Sequence, residues 1–144
     1  MQESGAPFGK AQSDQYWWRD GGEAEGLIVD DDEQLALLGA GYLRGAGYLS
    51  VTAVDAMQGF MFAQREQPGL ILLDINTPAG GGMTLLERLV KSPKTQMIPI
   101  VVLTARSEPE VEAQARAKGA ADFLRKPIER DAFLAVVNRL MPAA

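Results

Sequence analysis

From Gly26 to Leu140 the chain alternates short apolar runs with amphipathic stretches, five times over. The apolar runs are Leu27–Val29, Leu49–Val54, Leu70–Leu73, Ile98–Leu103 and Ala121–Leu124. They are short, rich in Leu and β-branched residues, and bounded by turn formers, which is the pattern of buried strands. The stretches between them carry helical spacing. Residues 33–46 place Leu35, Leu38, Tyr42 and Leu43 on one face, and residues 55–66 do so with Ala56, Phe60 and Ala63. Residues 83–92 use Leu85, Leu86, Leu89 and Val90, and residues 129–140 use Phe133, Val136, Val137 and Leu140. The helix over 108–118 is the least apolar, with Val111, Ala115 and the stem of Lys118. Gly47 and Gly119 suit left-handed helix ends, Asp32 suits the first N-cap, and Ser107 with Glu110 forms a capping box.

Strict β/α alternation predicts an α/β fold: a parallel sheet with helices on both faces and right-handed crossovers. Five units in about 120 residues fit a doubly wound (βα)5 domain of flavodoxin-like strand order 2-1-3-4-5. A Gly-rich fingerprint is missing after the first strand, and no GxxxxGK[ST] occurs, so nucleotide binding is disfavoured. Residues 1–25 show neither periodicity and read as a flexible tail or linker before a domain at 26–141, with 142–144 as the end. Tyr16, Trp17 and Trp18 stand out in that tail, either packing on the domain's own surface or anchoring a partner or second copy.

Composition narrows the chemistry. The 144 residues contain no Cys and no His, which excludes thiolate and imidazole metal sites, Cys nucleophiles and His-based acid–base chemistry. The net charge of −5 gives direct nucleic-acid binding a low prior. Residues 1–74 hold 12 acids against 4 bases, whereas residues 75–144 hold 7 against 10. No apolar run approaches the ~20 residues of a membrane span, and the N-terminus lacks a signal-peptide core, so a cytoplasmic location is the default.

In an open α/β sheet, sites form outside the carboxyl ends of the strands. Here those ends carry Asp30, Asp31 and Asp32 on the first strand and Asp74 on the third. Thr104 ends the fourth and Lys126 the fifth. In the order 2-1-3-4-5 these strands are neighbours, so carboxylates, a hydroxyl and an ammonium converge on one crevice. Clustered carboxylates repel one another unless a cation is present, and a small all-oxygen set favours Mg²⁺. A carboxylate beside Mg²⁺ can act as a nucleophile toward phosphorus, with Lys126 and the metal offsetting charge on the phosphoryl group.

The segments LIVDDDEQL, LILLDINTP, IPIVVLTAR and GAADFLRKPI together resemble the receiver domain of bacterial two-component response regulators. The resemblance covers about residues 26–141. By position it implies Asp74 as phosphoacceptor, and Asp31 as a direct Mg²⁺ ligand. Asp30 would act on the metal through water, and Asn76 would lend its backbone carbonyl. It implies Thr104 as the switch hydroxyl, Lys126 as the phosphate-binding lysine, and Phe123 as the switch aromatic. Ala105 and Arg106 would govern access to the phosphoryl group, and Lys126–Pro127 would be cis. The loop departs from the family pattern, with Thr77 before Pro78 and three consecutive glycines at 80–82.

The implied function is a phosphorelay receiver rather than a turnover enzyme, catalysing only its own phosphorylation and dephosphorylation. A histidine kinase or His-containing phosphotransfer protein would be the donor, and a downstream protein would read the fourth-helix, fifth-strand, fifth-helix face. That half carries Arg106, Arg116, Lys118, Arg125, Arg130 and Arg139. These bases serve solubility or form a docking surface for an acidic partner or for self-association. With the paired tryptophans they motivate a homodimer as a separate expectation. A haloacid-dehalogenase-type phosphatase is weighed against this, since Asp74-Ile75-Asn76-Thr77 echoes its signature. It needs an acid where Asn76 stands. A binding-only pseudo-receiver is the other alternative; the intact Asp30/Asp31/Asp74/Thr104/Lys126 set argues against it, and the Gly-rich loop gives it weight.

Overall fold

Two five-residue segments, Leu-Ile-Leu-Leu-Asp and Ile-Val-Val-Leu-Thr, are buried throughout. They are the middle of the fold in the computed structural model, which describes residues 25–76, 81–105 and 109–141. The aromatic cluster at 16–18, residues 77–80, Arg106, the capping Ser107 and residues 142–144 lie outside the described residues.

The elements run β1 (Glu25–Val29), α1 (Glu33–Gly45), β2 (Leu49–Ala53), α2 (Ala56–Glu66), β3 (Leu70–Asp74), α3 (Gly82–Lys91), β4 (Ile100–Thr104), α4 (Pro109–Ala117), β5 (Asp122–Arg125) and α5 (Arg130–Leu140). All strand pairs are parallel, in the order β2-β1-β3-β4-β5. This is the predicted doubly wound arrangement. β3 and β4 lie between other strands and between two helix layers, which is why they read as unbroken apolar runs rather than alternating ones.

Side chains alternate across the sheet and build two cores. Leu27, Val29, Ile71, Leu73, Ile100 and Val102 pack with Ala63 of α2, Leu85, Leu86 and Leu89 of α3, and Ala115 of α4. Ile28, Leu70, Leu72, Val101 and Leu103 pack with Ala36 and Leu43 of α1 and with Phe133 and Val137 of α5. Phe133 is fully buried and meets Tyr42 with ring centroids 5.5 Å apart.

Helix ends follow local chemistry. Asp32 caps α1 through Gln34 N and Leu35 N, and Gly47 and Gly119 have φ of 95° and 111°. Asp55 and Glu129 cap α2 and α5 in the same way as Asp32.

α1 corrects the expected face. Its buried residues are Ala36, Gly39 and Leu43, while Leu38 is 39% exposed. A Cβ on Gly39 would lie 3.4 Å from Ile28 Cδ1. Small residues let the helix backbone lie close to the sheet, so the contact stripe runs through them and the larger Leu38 turns outward.

Phe133→Ala costs about 3–5 kcal/mol of stability, as expected for a truncated buried aromatic, whereas Leu38→Ala stays within about 1 kcal/mol. Urea unfolding of the two variants beside the wild type checks the ranking.

Candidate functional site

Strand register sets the site. Val29 pairs with Leu73, so Asp30, the residue just past β1, comes level with Asp74. Asp74 pairs with Leu103, and Thr104 pairs with Arg125. The ladder continues one step past the strands: Ile75 N donates to Leu103 O at 3.1 Å and Lys126 N donates to Thr104 O at 2.8 Å. The chemistry-bearing side chains therefore leave the sheet at one edge, at nearly one height.

Asp30 and Asp74 are buried, and Asp31 is exposed beside them. Carboxylate oxygens of all three lie within 4.8 Å of one another. The two buried carboxylates are held alike. Asp30 Oδ1 accepts from the backbone N–H of Asp32 at 2.9 Å, and Asp74 Oδ1 accepts from that of Asn76 at 2.9 Å. The second oxygen of each faces Lys126 Nζ, at 3.2 Å for Asp30 and 3.1 Å for Asp74. One ammonium thus bridges both acids. Lys126 precedes Pro127, and the bond between them is cis.

Burial pushes the Asp30 carboxyl above its ordinary range, and the nearby charge of Asp74 adds to this. The Asp32 amide and Lys126 oppose the shift without cancelling it. The cluster carries more negative charge than its partners neutralise. Three carboxylates within reach of one point, one of them open to solvent, fit a hard divalent cation such as Mg²⁺, which takes few protein oxygens and keeps its waters.

The Asn76 side chain was not foreseen as a participant; only its backbone carbonyl was. Its Oδ1 accepts a hydrogen bond from Thr104 Oγ1 and a second from Ala105 N at 2.9 Å. Sequence offered no signal for this beyond the position of Asn76 two residues after Asp74. Phe123 is half-buried on β5, opposite Val102, and packs on the α2–α3–α4 core. Several bases of the second half have acidic neighbours. Arg116 and Arg139 both meet Asp122, Lys118 meets Glu87, and Arg130 lies 3.8 Å from Asp131.

Gly82 explains one of the three loop glycines. A Cβ there would lie 2.5 Å from Ile75 Cα and 3.1 Å from Asp74 O. The first turn of α3 is therefore seated directly on the backbone that carries Asp74.

The family profile of the response regulator receiver domain matches residues 27–138. The DNA-binding dual master transcriptional regulator RpaA of Synechocystis sp. is 37% identical over 115 residues, covering 80% of this chain and 48% of the relative. Response regulator PleD of Caulobacter vibrioides is 36% identical over 79% of this chain and 25% of its own length. The chain thus spans half or less of these relatives. Protein PilH of Pseudomonas aeruginosa is 27% identical over 80% of this chain and 95% of its own. Among solved structures, chemotaxis protein CheY4 of Vibrio cholerae superposes with a TM-score of 0.77 at 28% identity, covering 83% of this chain and 99% of that one. No helix among the described residues is long and apolar enough to cross a membrane.

Gly82→Ala costs about 1–3 kcal/mol, because the added methyl meets backbone rather than a yielding side chain. Urea unfolding of this variant checks the cost, and amide chemical-shift changes centred on Asp74 and Ile75 check that the strain is local.

Proposed function

The chain belongs to the response regulator receiver domain family, and on that premise we propose that Asp74 is the residue it phosphorylates. The observation that carries this reading is the shared ammonium. A buried carboxylate, 3.1 Å from Lys126 Nζ, stands beside two further acids at the carboxyl edge of the sheet. We take residues 26–141 as the receiver unit, with residues 1–25 as a tail or linker before it.

The donor is a histidine kinase or a His-containing phosphotransfer protein, as this chain has no His of its own. A carboxylate oxygen of Asp74 attacks phosphorus. The P–O bond to Asp74 forms as the P–N bond of the phosphohistidine breaks, and the electron pair returns to the imidazole nitrogen. With acetyl phosphate the leaving group is acetate. Asp31, Asp74 and the backbone carbonyl of Asn76 would hold Mg²⁺ directly, with Asp30 acting through water. When bound, the cation offsets the carboxylate charge and the charge on the transferring oxygens. Lys126 orients the Asp74 carboxylate before transfer and pairs with a phosphoryl oxygen after it.

The modification adds roughly −1.5 to −2 charges to the crevice. Thr104 then donates its hydroxyl to a phosphoryl oxygen, and Phe123 turns into the space left behind. Both residues lie on strands next to α4 and α5, so the α4–β5–α5 face changes and a downstream protein, or a second copy of the chain, reads it. Ala105 leaves the phosphoryl group accessible, and Arg106 tunes its lifetime.

Intact-protein mass spectrometry after incubation with acetyl phosphate and Mg²⁺ tests the proposal. One phosphoryl adduct is expected on the wild type, none on Asp74→Asn, and none when EDTA replaces Mg²⁺. An adduct that persists on Asp74→Asn, or a wild type that takes none, contradicts it.

A further inference from the structure

We propose that the Asn76 carboxamide oxygen is an internal stand-in for a phosphoryl oxygen, and that it competes with the phosphoryl group for the same two donors. The inference rests on the receiver reading above and adds to it a device that opposes the phosphorylated state.

The geometry is specific. Thr104 Oγ1 and Ala105 N both donate to one atom, Asn76 Oδ1. A hydroxyl and a backbone amide aimed at a single oxygen make a small anion-type pocket, formed at the end of β4 and already filled by a neutral acceptor. Thr104 is fully buried, so its hydroxyl depends strongly on a good partner. The competitor is tethered at the nucleophile itself, because the backbone N–H of Asn76 donates to Asp74 Oδ1 at 2.9 Å. The same residue therefore touches the acceptor carboxylate with its backbone and the opposing donors with its side chain. A phosphoryl group on Asp74 brings three strong acceptor oxygens into this space. For one of them to take the Thr104 and Ala105 donors, the carboxamide has to leave.

The competition has a direction. In the unmodified protein the donors are satisfied, and binding of a phosphoryl group exchanges those bonds for new ones instead of adding to them. Removing the carboxamide takes away the acceptor that the two donors share, so an incoming phosphoryl oxygen no longer has to displace it. Asn76 is thus a positioning residue that keeps the β4 donors in place while lowering the affinity of the site for a phosphoryl group.

The test titrates beryllofluoride, a phosphoryl mimic, into wild type, Asn76→Ala, Asn76→Ser, Thr104→Ala and the Asn76→Ala/Thr104→Ala double variant by calorimetry. Mg²⁺ is held saturating, after its own Kd is measured for each protein. Asn76→Ala is expected to bind the mimic about three- to tenfold more tightly than wild type, the range that one or two neutral hydrogen bonds supply. The gain should shrink in the Thr104→Ala background, since one of the contested donors is gone. Asn76→Ser, too short to span the gap, should follow Asn76→Ala, and it stands in if that variant does not fold. Equal or weaker binding by both Asn76 variants overturns the inference alone. So does a gain that is undiminished without the Thr104 hydroxyl. A wild type that fails to bind the mimic at saturating Mg²⁺ overturns the receiver reading and this inference with it.

Discussion

Lys126 holds together a site that would otherwise repel itself. Two buried carboxylates, on strands that are neighbours in the sheet, each direct one oxygen at its ammonium, at 3.2 and 3.1 Å. Their other oxygens take backbone N–H groups two residues further along the chain. The exposed Asp31 then adds a charge for which the described residues supply no such clamp. Buried charges survive only when paired and hydrogen-bonded. The fold meets that condition by bringing β1, β3 and β5 to one edge with the lysine at the end of β5. Phe133, the stacked cores and the small-residue stripe of α1 all serve to hold those strand ends in register.

The arrangement is poised rather than relaxed. Burial and the charge of Asp74 hold the Asp30 carboxyl above its ordinary range, so ionised Asp30 is less comfortable folded than in water. Such a group contributes destabilisation as pH rises through its unfolded value toward its folded one. A divalent cation would relieve the strain, whereas loss of the Lys126 ammonium would deepen it. Asn76 adds a second element of poise at the opposite wall, where its carboxamide occupies the donors of Thr104 and Ala105.

Much of this was legible from apolar spacing and strand ends. β3 and β4 announce themselves as unbroken apolar runs because both of their faces are covered, and their terminal Asp74 and Thr104 follow from where the runs stop. Asp30 and Lys126 follow from the ends of the first and fifth runs, and the strand order makes those ends converge. The inner face of α1 was misjudged because size was read as burial, when close helix–sheet packing favours Ala36 and Gly39. The end of α2 carried no sequence flag, since Gln67 rather than glycine takes the left-handed conformation there, with φ 49°. The Asn76 side chain was beyond reach, because its partners lie 28 and 29 residues away and depend on register. The basic residues of the second half are expected to serve solubility or docking, and their ion pairs lie beyond sequence reach: Arg116 and Arg139 converge on Asp122, an acid on β5 whose position between the two helices only the fold reveals.

On the proposed reading, the three-carboxylate cluster binds Mg²⁺ as it stands, before any phosphoryl chemistry. Urea unfolding at neutral pH, with and without Mg²⁺, tests it most directly. A cation at ten times its Kd stabilises the folded state by about 1.4 kcal/mol. A Mg²⁺-dependent rise in the wild-type midpoint is expected, and it disappears in Asp31→Asn, the variant least able to disturb the core. A midpoint indifferent to Mg²⁺, or a rise that persists undiminished in Asp31→Asn, would contradict it.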